Sequence, residues 1–155
     1  MELLPGYDLR SGSGLDRPLL LKFMQRTYQE SHPGQSVAHL AHTVEQYLSK
    51  DTPLWWVETV DRQTVGCLWM GSAIDQISGD RQSYIFLLYV TPEHRRRGIG
   101  KALMHHAETW VKSRGDRQLG LQVFPNNQPA LNLYRQLGYE VQSLWMVKRL
   151  EQGEG

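Results

Sequence analysis

The stretch Tyr84-Ile85-Phe86-Leu87-Leu88-Tyr89-Val90, followed by Thr91-Pro92-Glu93-His94-Arg95-Arg96-Arg97-Gly98-Ile99-Gly100, restricts the fold more than any other part of the chain. Its first part is rich in aromatic and branched side chains and reads as a buried strand. Pro92 ends that strand, because it lacks an N–H and restrains the residue before it. After the arginines and glycines, Lys101-Ala102-Leu103-Met104 opens a helical pattern. A strand, a basic glycine loop and a helix N-terminus together make an anion site. The first N–H groups of a helix have no intrahelical partner, and the macrodipole adds about half a positive charge there. Glycines let phosphate oxygens approach the backbone closely. The stretch reads as a pyrophosphate cradle, against the plainer reading of a solvated basic turn.

The spacing narrows the ligand. A dinucleotide fingerprint needs a glycine where Leu103 stands, and a Walker A loop needs four residues between its glycines, whereas Gly98 and Gly100 enclose only Ile99. Arg95-x-x-Gly98-x-Gly100, directly after an apolar strand, resembles the acetyl-CoA-binding motif of the GNAT superfamily of N-acyltransferases. The resemblance implies acetyl-CoA as cofactor, with Leu88, Tyr89 and Val90 along its pantetheine arm. It places Arg95, Arg96, Arg97, Gly98, Ile99, Gly100 and Lys101 at the pyrophosphate.

At 155 residues the chain reads as one domain over 1–155 with one core. Its 40% hydrophobic and 21% charged residues are ordinary for a globular chain, and its net charge of +1 argues against a general nucleic-acid surface. Cys67 is the only cysteine, which excludes an intrachain disulfide; beside Gly66 and Leu68-Trp69 it reads as a small core residue. Residues 1–20 lack a signal-peptide pattern, and no apolar run reaches membrane-spanning length. A cytoplasmic enzyme that binds neither membrane nor nucleic acid is the expectation.

In chain order, the pattern predicts a short strand at 6–10, a helix from about Arg17 after an Asp16 cap, and a second helix capped by Ser36. Strands follow at 54–60 and 65–70 around a hairpin turn at 61–64, ahead of the organising strand at 84–90. A helix over 99–114 ends at Gly115, a strand covers 119–124, and a helix follows Asn126-Asn127-Gln128-Pro129. Residues 139–150 read as a last strand and 151–155 as a frayed tail. This predicts an α/β domain with a mixed sheet. The order is similar to the GNAT fold, which implies a GNAT-like mixed sheet flanked by helices, with a splayed parallel strand pair holding the cofactor.

Asn127-x-x-Ala130-x-x-Leu133-Tyr134-x-x-Leu137-Gly138-Tyr139 resembles a later signature of the same family. There the asparagine touches the cofactor and the tyrosine protonates the departing thiolate, which makes Asn127 a cofactor residue and Tyr134 the catalytic acid. A core tyrosine one turn above Ala130 is the alternative. The implied reaction is direct attack by a primary amine on the thioester in a ternary complex. The acceptor is a small amine or a protein N-terminus or lysine, and the developing oxyanion meets a backbone N–H at or near Val90.

No general base is marked. Gln122 and Tyr84 stand where two branches of the family carry glutamates, which leaves Glu58, Asp75, Glu30 or a water chain. His39 and His42 lie three apart on the second helix without a third metal ligand, so no metal site is expected. His32 sits where the family's first two helices turn over the acceptor cleft, while Trp55, Trp56 and Trp69 read as core. Residues 139–150 are short for two strands and a loop. Either the cleft is open on that side, or one continuous strand pairs with another subunit as a homodimer. The other classes are a non-catalytic acyl-CoA-binding sensor or scaffold and, against the near-neutral charge, a nucleic-acid-binding domain.

Overall fold

The computed structural model describes residues 1–151. It divides into two compact units, Met1–Gln122 and one that begins at Val123. The first unit holds a six-stranded sheet in sequential order: β1 (Glu2–Leu4), β2 (Tyr7–Ser11), β3 (Leu54–Thr59), β4 (Thr64–Ile74), β5 (Arg81–Val90) and β6 (Leu119–Leu121). Neighbours are antiparallel except β5 and β6, which are parallel and joined through α3 (Ile99–Arg114). A parallel pair needs such a crossover.

α1 (Arg17–Ser31) and α2 (Leu40–Tyr47) cover one face of the sheet. Leu20, Phe23 and Met24 of α1 and Leu40 and Val44 of α2 bury against Leu54, Trp56, Cys67, Trp69, Leu87 and Tyr89. Alternation along β3 turns Trp55 the other way, where its ring meets His106 of α3 at 4.6 Å. α3 buries Ile99, Leu103, Met104, Ala107 and Val111, a helical period along one side. Gly115 ends it at φ 90°, the left-handed cap its sequence predicts. Just beyond, Asp116 accepts hydrogen bonds from Ser83 (2.6 Å) and Arg81 (3.0 Å), tying the end of α3 to the start of β5. Burial alone would raise its carboxyl pKa, but these bonds and the charges of Arg114 and Arg81 hold it below the usual carboxylate range.

Several boundaries differ from the sequence reading. Asp16 stands at the N-cap of α1 as expected, but its side chain makes no cap bond there; its carboxylate accepts from Ser13 N (2.8 Å) and closes the preceding 3-10 turn. α2 begins at Leu40 because Ser36 Oγ accepts from Ala38 N (3.3 Å), closing a turn instead of capping a helix. β6 stops at Leu121, short of the expected 124.

In the second unit, α4 (Gln128–Gln136) is capped by Asn127, whose side chain accepts from Ala130 N at 3.3 Å. Gly138 follows at φ 92°. The strand expected over 139–150 is not formed in the described structure, so β composition alone does not make a strand there. Of the expected tail, 152–155 lie outside the described residues.

Candidate active site

The site begins with an interruption in the sheet. β6 pairs with β5 only through Ser83–Leu119, Tyr84–Gly120 and Ile85–Leu121, while β5 continues to Val90. The break coincides with a bulge. Trp69 pairs with Leu87 and Met70 with Ile85, so Phe86 is the extra residue. A bulge bends its strand and increases its twist, and pairing with β6 ends beside it, at Ile85.

Thr91 N donates to Val65 O (2.8 Å), making these two a hydrogen-bonded antiparallel pair. The next pair, Gly66–Val90, and then Leu68–Leu88, are therefore non-hydrogen-bonded pairs, whose own N–H and C=O groups point away from β4. Leu88 and Val90 thus present main-chain groups along the edge where β6 ends. Arg95 Nε donates to the Val90 carbonyl at 2.8 Å.

The loop after β5 turns through two left-handed residues, Arg96 (φ 64°) and Gly98 (φ 84°), before α3 starts at Ile99. A non-glycine residue in that region stores strain, a feature that concentrates at ligand sites. Gly98 is the N-cap and supplies no side-chain cap, so the first amides of α3 are not covered by one. A Cβ there would come no closer than 3.9 Å to Leu4 Cδ1, so conformation and not space demands glycine. Ile99 is buried and anchors the helix start, while Arg95, Arg96, Arg97 and Lys101 are exposed. Arg97 Nη1 donates to the Tyr7 hydroxyl (2.9 Å), which in turn shares a hydrogen bond with His94 Nδ1 (2.8 Å). Strained turn, uncapped amides and clustered cations suit a diphosphate.

Beside the loop lies a cleft of about 480 Å³ lined by Arg26, Gln29, Glu30, Tyr89, Thr91 and Glu93. Glu30 Oε1 accepts from the Tyr89 hydroxyl at 2.5 Å and Oε2 from Arg95 Nη2 at 2.7 Å, while the Arg95 guanidinium lies 5.4 Å from the Tyr89 ring centre. Burial, with the hydrogen bond and charge of Glu30, pushes the Tyr89 phenol up to about 12, so it stays a donor to that carboxylate. Thr91 is buried, and its Oγ1 has no hydrogen-bond partner among the described residues.

Of the carboxylates weighed as a base, only Glu30 lines this cleft. Glu58 pairs with Arg10 (3.4 Å), and Asp75 closes its own turn by accepting from Ser78 Oγ (2.8 Å). Burial pushes the Cys67 thiol far up, which removes it as a nucleophile. Trp55, Trp56 and Trp69 are core. Among the described residues no cluster of His, Cys, Asp or Glu could hold a metal, and no helix is long and apolar enough to cross a membrane. Sequence spacing missed the Glu30–Arg95–Tyr89 cluster and Glu93, because α1 and the loop meet only through the fold.

In the second unit, Tyr134 is half-buried on α4, and its ring meets that of Tyr139 at 5.8 Å. Burial raises its phenol to about 12, above the ordinary value its sequence motif suggests.

The model of the Acetyltransferase (GNAT) family matches residues 20–139. Streptothricin acetyltransferase of Streptomyces lavendulae is 44% identical over 50 residues, 32% of this chain and 26% of that protein. An uncharacterized N-acetyltransferase, YycN, of Bacillus subtilis (strain 168) is 31% identical over 97 residues, 63% of this chain and 61% of that protein. The chain thus spans less than two thirds of the length of these curated relatives. A putative acetyl transferase from Pyrococcus furiosus shares the fold at TM-score 0.70 and 24% identity, covering 93% of this chain and 99% of its own. A predicted acetyltransferase from Clostridium acetobutylicum, solved with acetyl-CoA, does so at TM-score 0.74 and 17% identity, covering 92% and 96%.

Proposed function

This chain belongs to the Acetyltransferase (GNAT) family, and from that premise we propose that it transfers an acetyl group from acetyl-CoA to a primary amine by direct attack within a ternary complex. The observation that carries this reading is the open edge of β5. Leu88 and Val90 direct main-chain groups along it, immediately ahead of an uncapped, left-handed entry into α3. The family match spans both units and supports 1–155 as one functional domain.

Acetyl-CoA, when bound, supplies the acetyl group as an activated thioester. The main-chain amides from Arg95 to Lys101 hold the diphosphate, helped by the α3 dipole and the side chains of Arg96, Arg97 and Lys101. The Arg95 guanidinium keeps its brace between Val90 and Glu30. Leu88, Tyr89 and Val90 line the pantetheine arm, and the Val90 N–H polarises the carbonyl oxygen. Asn127 offers its side-chain NH2 group to the cofactor while its oxygen caps α4. Glu30 draws the cationic acceptor and takes its proton, directly or through water. Tyr134, kept protonated by burial, gives its proton to the departing thiolate.

The resemblance between the matched stretch and streptothricin acetyltransferase supports an amine acceptor. A free-thiol assay with acetyl-CoA over primary amines and peptides tests the reading. Wild type should release thiol only when a suitable amine is present, and Gly100→Asp should release none, because a carboxylate at the helix start repels the diphosphate. A wild-type protein that binds coenzyme A yet releases no thiol with any amine would be a binding module and not a transferase.

A further inference from the structure

The cleft beside the loop holds a cation whose charge goes unanswered. Arg26 lines it, half-buried, with its guanidinium 5.5 Å from the centre of the Phe23 ring. Stacking on a ring uses none of the guanidinium's N–H donors. Among the described residues Arg26 donates no hydrogen bond and joins no ion pair. Its nearest candidate partner in sequence is Glu30, one helical turn on along α1, the spacing at which opposite charges on a helix meet. Glu30 turns elsewhere: one of its oxygens accepts from Tyr89 and the other from Arg95.

Glu30 and Arg95 offset each other's charge. Around the cleft this leaves Arg26 on α1 and the exposed Glu93 on the loop after β5, charges of opposite sign with no ion pair among the described residues. An acceptor carrying only amines would set an ammonium against Arg26, and like charges disfavour such a ligand. An acceptor with a carboxylate beside its amine meets both signs at once. The planar fork of a guanidinium matches a carboxylate in shape and donates to both of its oxygens. Side chains one helical turn apart start about 5–6 Å from each other, which suits an ammonium and a carboxylate joined through a single carbon.

We propose that the acceptor is a zwitterionic amine of the α-amino-acid type, its carboxylate held by Arg26 and its amine brought beside Glu30. This rests on the transfer proposed above and names the acceptor class for it. The products are an N-acetylamino acid and coenzyme A. The C–N bond forms as the C–S bond breaks, and the proton of the neutral amine ends on sulfur.

The test is the free-thiol assay with acetyl-CoA on a panel of L-amino acids, each set against its C-terminal amide, with aliphatic diamines beside them. The amide keeps the amine but loses the carboxylate, whose charge favours the protonated amine, so reactivity alone favours the amide. For the preferred amino acid, kcat/KM should nevertheless be roughly 10- to 100-fold higher than for its amide, the range that a hydrogen bond to a charged group is worth. Arg26→Gln should bring the two within about threefold, and Arg26→Lys, which keeps the charge without the fork, should retain part of the difference. Coenzyme A affinity should be the same in all three proteins. Amides or diamines used as well as amino acids by the wild type, a preference that survives Arg26→Gln, or coenzyme A affinity lost in that variant would each overturn the proposal. If the wild type releases thiol with no amine at all, the transfer reading fails by itself, and calorimetry on the coenzyme A-bound protein decides the Arg26 site. An amino acid bound more tightly than its amide, with the difference lost in Arg26→Gln, upholds the site; equal binding or none overturns it.

Discussion

Tyr134 carries the sharpest prediction at the level of single residues. A free phenol titrates near 10, but burial places this one at about 12. It thus stays protonated through the neutral range, and it is also a weaker acid than the motif implies. Transfer to a thiolate whose thiol titrates near 8.5 is uphill by a few kcal/mol, so the proton moves as the C–S bond breaks and not before. Tyr134→Phe should lower kcat by about 10²-fold or more while leaving coenzyme A affinity within about twofold. In wild type the pH profile of kcat should show no alkaline loss attributable to this phenol below about pH 11, since the proton is lost only as pH approaches the raised pKa. An alkaline limb near 10 that vanishes in Tyr134→Phe would mean an unperturbed phenol. Gly98 was legible because motif spacing encodes a local backbone need, here a left-handed φ of 84°. Glu30 was legible only as one carboxylate among several, since its partners Arg95 and Tyr89 lie far along the chain and meet it only after α1 packs.

The bulge in β5 is the element on which the site turns. Phe86 is its extra residue, and the ring lies over Gly71 of β4, where an added Cβ would sit 2.0 Å from Phe86 Cε2. Gly71→Ala should therefore push the ring aside, cost about 1–3 kcal/mol of stability, and lower the denaturation midpoint with little change in m-value. Unchanged stability would show that the ring swings away freely. Hydrophobic period alone gave α1, α3, α4 and the meander of β3 to β5. The bulge was invisible because an apolar run reads the same with or without a one-residue slip in its pairing. The last β5–β6 pair, Ile85–Leu121, lies next to the same slip. Residues 139–150 show the opposite case, in which strand composition is present and no strand is formed in the described structure. Composition states a preference, and hydrogen bonding to a neighbour realises it.

For the whole molecule, fold class and family were legible from the order of elements and two motifs, and the family match over residues 20–139 agrees with both. The cleft was not legible, because Arg26, Glu30 and Glu93 reach it from separate elements far apart in the sequence. Under the proposed function, main-chain amides ahead of α3 grip a diphosphate and so aim a thioester along the Leu88–Val90 edge. The most direct measurement is a crystal structure of the full chain with coenzyme A. The account predicts diphosphate oxygens within hydrogen-bond distance of backbone N–H groups between Arg95 and Lys101, with the pantetheine beside Val90. A diphosphate bound elsewhere, or no ligand at millimolar coenzyme A, would contradict it.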